Sequence, residues 1–308
     1  MMIARLGLPL VVIAAQSALA ADFFWPDITN VFSFGDSYTD SISRIVNGSL
    51  SPPNDAGTAG GGRMWIEFAT QTYNVSDVNL FNFAYGGAVT DETLIAQSSP
   101  ATQSFKDQVG NFLEFYANNT ELADWDANNT LVTVFFGIND VGKSFWWTNE
   151  TVAETNARVL ASYFERLALL RDAGARNFLL LEVPDVGRTP NLIKQGLNGT
   201  LQSNASADYN TQLAAALPIF EQNSTDVGAP VNVKIHPTRE VFDFLLDNAD
   251  VLGFHNVTAG WWQGLSTELQ GEVSLATYFW WNNFHPSWGV HDFLGHSVAA
   301  FLTKWSGL

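Results

Sequence analysis

The sequence predicts an α/β domain, a parallel sheet with helices packed on both faces. Two observations carry that expectation. Short apolar runs of strand length alternate with longer segments of helical spacing. Polar, glycine-bearing motifs also fall directly after the apolar runs, where a parallel sheet gathers its functional groups at the carboxyl ends of its strands.

Taken in order, residues 31–34 (VFSF) form a first strand that ends in Gly-Asp-Ser. Residues 49–62 are rich in Pro, Gly and Asn and read as a surface loop. Residues 78–83 form a second strand, and 131–136 (LVTVFF) a buried third. Residues 151–172 have helical spacing, with Val159, Tyr163, Phe164, Leu167 and Leu170 on one side. Residues 177–183 (NFLLLEV) are another buried strand, 205–221 another helix, and 231–235 a further strand. Residues 287–302 close the chain as a helix introduced by His-Pro-Ser. Repeats and low-complexity linkers are absent.

Composition narrows the function. With 46% apolar and 13% aromatic residues the 308-residue chain can bury a real core, so it is not a disordered polymer. Charged residues are only 15%, and they leave a net charge of −17. A field of that sign repels phosphate backbones and anionic lipid, which argues against nucleic-acid binding and stable membrane association. Cysteine is absent, which removes disulfides, thiolate metal sites and a cysteine nucleophile. No His-x-x-x-His spacing occurs on a helical segment, and we expect no metal and no cofactor.

The N-terminus reads as a secretory signal peptide. Arg5 precedes apolar residues 6–15, and Ala18-Leu19-Ala20 fits the small-x-small cleavage rule. A membrane anchor needs about 20 unbroken apolar residues, and Gln16 and Ser17 interrupt this run. Cleavage after Ala20 leaves residues 21–308 as one domain of a secreted, extracellular protein. Export gives meaning to nine Asn-x-Ser/Thr triplets, at Asn47, Asn74, Asn118, Asn128, Asn149, Asn198, Asn204, Asn223 and Asn256. Glycans there mark exposed positions and add solubility where charge is sparse.

Four segments carry the chemistry. FSFGDSYTD places Ser37 directly after a strand, where its hydroxyl is exposed and a helix start favours developing negative charge. The Gly-x-Ser-x-Gly elbow is not the pattern here, because Thr39 stands at its fifth position. NFAYGGAVTD brings Gly86 and Gly87 after the second strand, where a backbone amide can approach a ligand closely. FFGINDVG sets the Asn139 amide after the strongest strand, and FHPSWGVH sets His285 before the last helix. A nucleophile, two kinds of oxyanion donor and a general base are therefore present. Asp36 is expected to hold its turn by accepting backbone amides.

In this order the segments resemble the GDSL, or SGNH, hydrolase superfamily. The roles in that name match Ser37, Gly87, Asn139 and His285; the resemblance favours Gly87 over Gly86, because the family's glycine typically lies five residues after the Asn that ends its strand, here Asn82. GRMWIE at 62–67 and His291 also resemble family features, and the likeness runs from Val31 to about Ala300. It implies a three-layer α/β/α domain with a parallel sheet of about five strands, and ester hydrolysis through an acyl-enzyme. The oxyanion donors are then the amides of Ser37 and Gly87 and the side chain of Asn139. FSFGDSYTD, GGAVTDETL and FFGINDVG are similar to fungal secreted carbohydrate acetylesterases, so the implied partner is a small-molecule or oligosaccharide ester, acetyl esters foremost. The alternatives are a lipase or phospholipase of the same superfamily, although no amphipathic lid is evident, and a carbohydrate-binding homologue that has lost catalysis.

One position departs from the family. It writes Asp-x-x-His-Pro where this chain has Asn282-Asn283-Phe284-His285-Pro286. A neutral amide cannot stabilise imidazolium as a carboxylate does. An NH₂ turned toward His285 also imposes the wrong tautomer. An active enzyme then needs Oδ1 of Asn282, or a backbone carbonyl near Asn283, to accept from Nδ1–H. The tryptophan pairs offer two further expectations. Trp280 and Trp281 flank His285 and can shape an acyl pocket. Trp146 and Trp147 can form a platform for a sugar ring, although core packing is the commoner use.

Overall fold

The computed structural model describes residues 22–119, 121–264 and 274–308. The signal-peptide segment, with its cleavage point after Ala20, lies outside the described residues.

In chain order the main elements are β1 (Asn30–Gly35), α1 (Trp65–Gln71), β2 (Asn79–Asn82), α2 (Phe105–Phe115), β3 (Thr130–Phe135), α3 (Ile138–Ser144) and α4 (Val152–Asp172). There follow β4 (Asn177–Leu181), α5 (Leu197–Asp226), β5 (Asn232–His236), α6 (Thr238–Asp247), β6 (Asn256–Gly260), β7 (Tyr278–Trp280) and α7 (Trp288–Trp305). Strands β1 to β5 pair in the order β2-β1-β3-β4-β5, parallel throughout. Helices α1 and α7 pack together, with α6 on α7, while α2 packs on α4 and α4 on α5. The molecule is a three-layer α/β/α fold with a five-stranded parallel sheet.

Burial explains which strands were easy to read. Every residue of β1, β3 and β4 is buried, so each presents a nearly continuous apolar run. The edge strands β2 and β5 are only partly covered and more polar. Helix α4 starts where Thr151 Oγ1 accepts from the Glu154 amide and the Glu154 carboxylate accepts from the Thr151 amide, a reciprocal cap.

Two sequence expectations need correction. The helix expected over 205–221 runs from Leu197 to Asp226. Its first turns carry Asn198 and Gly199 in place of an apolar stripe, because Gly199 packs close to the backbone of Gly187 and Leu192. The loop expected over 49–62 contains a short strand, Ser49–Leu50, paired antiparallel with Ile45–Val46.

The parallel order reverses direction between β1 and β3, the crevice where sheets of this kind place ligands. The segments after β1, β2 and β3 all converge there. A separate two-stranded ribbon, β6 with β7, carries the segment before α7 to the same edge.

Candidate active site

Ser37 follows β1, and its Oγ lies 2.8 Å from Nε2 of His285, 248 residues away in sequence. The other imidazole nitrogen, Nδ1, lies 3.0 Å from Oδ1 of Asn282. That oxygen also accepts the backbone N–H groups of Phe284 and His285, each at 2.9 Å. Two fixed donors decide which end of the amide faces inward, because a rotated amide would set its NH₂ against N–H groups. With oxygen inward, Nδ1 must carry the proton and Nε2 keeps its lone pair for the Ser37 hydroxyl.

The loop bearing His285 is anchored from three sides. Tyr38 Oη donates to the Phe284 carbonyl at 2.6 Å. The Asn191 amide donates to the Asn283 carbonyl at 3.1 Å. Gly260 at the end of β6 lies against the Asn282 backbone so closely that a Cβ there would come within 2.5 Å of the Asn282 carbonyl carbon. Burial pushes the His285 imidazole down to about 4. It is therefore neutral, and basic at Nε2, at ordinary pH.

On the facing side, Asp40 Oδ2 accepts the Gly86 amide at 2.8 Å. The amides of Ser37 and Gly87 donate to no acceptor among the described residues, and both residues line the cavity. Gly87 has φ of +80°, a left-handed conformation, while a Cβ there would meet nothing within 4 Å. The glycine serves the backbone angle, not a lack of space.

Asn139 lines the same cavity, but its Nδ2 already donates to the Ala88 carbonyl at 3.0 Å and to Asp36 Oδ2 at 3.1 Å. A ligand oxygen must share one of those hydrogens. Asp36 does hold its turn, with Oδ1 accepting the Tyr38 amide at 2.9 Å, and it also orients Asn139. Burial pushes the Asp36 carboxyl up to about 7 against the pull of these hydrogen bonds.

The cavity measures about 800 Å³ and is walled mainly by apolar groups such as Ile138, Phe145, Val186 and Leu192. Trp146 lines it and is exposed, whereas Trp147 packs against the core. The expectation for the second pair is overturned: neither Trp280 nor Trp281 lines the cavity. Trp280 is fully buried and donates its Nε1–H to the Val257 carbonyl, and Trp281 stacks on Trp261. Strand β7 ends at Trp280 and turns its ring into the core, so position beside His285 in sequence does not bring it to the cavity.

His291 is buried with both ring nitrogens unpartnered and lies edge-on to Tyr38. Among the described residues no group of three metal-binding side chains is brought together. Of the sequon asparagines, Asn74 and Asn256 are half-buried and the others are exposed, with Asn198 at the rim of the cavity.

Sequence reasoning missed Tyr38 and Gln202. Tyr38 stands beside Ser37, but its target, the Phe284 carbonyl, lies in another loop. Gln202 carried a usable signal, a polar residue in the buried stripe formed with Gly199, Ala205, Ser206 and Tyr209.

The model of a family described as GDSL-like Lipase/Acylhydrolase matches residues 31–298, nearly all of the described chain. The chain belongs to this family. It is a hydrolase of the GDSL type, with homologues among the acetyl esterases. An acetylesterase of Thermothelomyces thermophilus is 33% identical over 287 residues, spanning 90% of this chain and 88% of its own. The thermolabile hemolysin of Vibrio parahaemolyticus is 34% identical over 172 residues, covering 54% of this acylhydrolase and 36% of the hemolysin. Among solved structures, Est24, a carbohydrate acetylesterase from Sinorhizobium meliloti, aligns over 90% of this chain and 99% of its own at 15% identity, with a TM-score of 0.48. No helix among the described residues of the acylhydrolase is long and apolar enough to cross a membrane.

Proposed function

We propose that this acylhydrolase is a secreted, glycosylated serine esterase that removes short acyl groups, acetyl foremost, from carbohydrates. The observation that carries the reading is the line Ser37 Oγ, His285 Nε2 and Nδ1, Asn282 Oδ1 at hydrogen-bond spacing. His285 takes the Ser37 proton as Oγ attacks the ester carbonyl. The amides of Ser37 and Gly87 receive the oxyanion, with Asn139 sharing a hydrogen. His285 then protonates the leaving alcohol, and water activated by the same imidazole releases the acid and restores the serine. The acyl preference is supported by the 33% identity to an acetylesterase along nearly the whole chain.

One observation favours a second reading, hydrolysis of longer acyl esters at a lipid surface. Ile193, Leu197 and Leu201 are exposed beside the cavity residues Leu192, Gln195 and Asn198, an apolar lip that the sequence did not reveal as a lid. An acyl-length series of simple esters, with Ser37→Ala as control, separates the two. The proposal expects the highest kcat/KM at acetate and no turnover in the control. A maximum at eight or more carbons selects the lipase.

A further inference from the structure

Gln202 is 95% buried in α5, yet its side chain makes no hydrogen bond with any described residue, and it lines the cavity. Its amide is not sealed off inside the protein but opens into the cavity, where water or a ligand supplies the partner that no neighbouring residue does. Its Nε2 lies 3.3 Å from where a Cβ on Gly142 would stand. The absence of a side chain at Gly142 is what leaves the amide room against α3. Four residues beyond Gly142, the Trp146 indole also lines the cavity, with 55% of its surface exposed. An unpaired amide with two donors and an acceptor thus shares one wall with an open aromatic face.

We infer that Gln202 and Trp146 form the glycan subsite of this cavity. The Trp146 face stacks on the pyranose that bears the ester, and the Gln202 amide hydrogen-bonds its hydroxyls. This rests on the carbohydrate-ester reading above. The chemistry selects a polyhydroxylated ligand over an alkyl chain. A chain laid along this wall would strip water from Gln202 and return no hydrogen bond. A pyranose offers both hydroxyls for the amide and an apolar C–H face for the indole.

The test compares kcat/KM for an acetylated xylo-oligosaccharide with that for phenyl acetate, in the parent, Gln202→Leu, Trp146→Ala and Trp146→Phe. The ratio of sugar ester to phenyl ester should fall about tenfold in Gln202→Leu and in Trp146→Ala, through KM rather than kcat. Trp146→Phe should recover part of the loss. In a Ser37→Ala background, calorimetry should show the same weakening for the deacetylated oligosaccharide. If the parent cleaves the sugar ester and the ratio is unmoved in both variants, the subsite is wrong and the esterase reading stands. If the parent cleaves only long acyl esters, both fall together. Should Gln202→Leu fail to fold, exposed Trp146 carries the comparison alone.

Discussion

Nδ1 of His285 lies 3.0 Å from Oδ1 of Asn282, and the same oxygen is held by two backbone amides of its own turn. A carboxylate at this position would supply both orientation and negative charge. The amide supplies orientation alone. The tautomer that an Asp-to-Asn exchange normally endangers is secured here by the turn, which leaves the amide no other way round.

The missing charge has a consequence for pH. Burial pushes the His285 imidazole down to about 4 with no carboxylate beside it to raise it. In the proposed mechanism His285 is the base and works only when neutral, so kcat/KM should hold as pH falls and decline near 4. Asn282→Asp places a negative charge beside the imidazole, which favours the charged form and should move the acid limb upward by a unit or more. A pH–rate profile of the two proteins checks this; a limb near 6.5 in the parent contradicts it.

On the proposed mechanism, removing His285 should cost more than removing Asn282. His285→Ala is expected to lower kcat by roughly 10⁴-fold, the upper range for a general base. Asn282→Ala loses the tautomer restraint and the acceptor of two loop amides, and a loss of about 10²-fold is expected. Steady-state kinetics on acetate esters decide it, and equal losses would make Asn282 as indispensable as the base itself.

Asn139→Ala should lower kcat by about 10²-fold with little change in KM, since an oxyanion donor acts on charge that develops in the transition state. Because Asn139 Nδ2 already serves Ala88 and Asp36, the variant also releases an acceptor on buried Asp36. A modest fall in Tm should accompany the kinetic loss. A change confined to KM assigns Asn139 to substrate contact instead.

Gly87→Ala tests the backbone angle. The added methyl has open space, so the cost arises from φ of +80°, about 1–2 kcal/mol for an L-residue. Relief of that strain rotates the amide away from the cavity, and kcat should fall more steeply than stability. Thermal melts and kinetics measured together distinguish this from simple destabilisation.

Stability should decline as pH rises through neutrality and level off above it. Burial raises Asp36 and Glu67 to about 7 and Asp140 to about 6, so the folded protein keeps protons that unfolded carboxyls have lost. Their contribution is full below an unfolded value near 4 and is lost as pH rises to about 7. His236 and His285, lowered to about 4, and His291, lowered to about 3, act oppositely up to their unfolded value of 6.5. From pH 6.5 to 8 only the carboxyl effect remains. Calorimetry at constant ionic strength should show Tm falling across that interval, and a flat Tm would show that the buried carboxyls are ionised throughout.

The sequence by itself determined the sheet, the order of its central elements and the four motifs at its edge. Those features are local: β1, β3 and β4 are buried on both faces and read as unbroken apolar runs, and each motif follows its strand directly. The edge strands and the first turns of α5 were less legible because their residues answer to neighbours distant in the chain, such as Gly187 beneath Gly199. Tertiary structure alone decided how His285 is oriented. The turn that directs Asn282 Oδ1 is closed by Tyr38, just after β1, and by the approach of Gly260 at the end of β6, contacts that span more than two hundred and more than twenty residues respectively. It also decided which tryptophans meet the cavity. Sequence placed Trp280 and Trp281 beside His285, but β7 turns the first into the core and stacks the second on Trp261, leaving Trp146 as the open face.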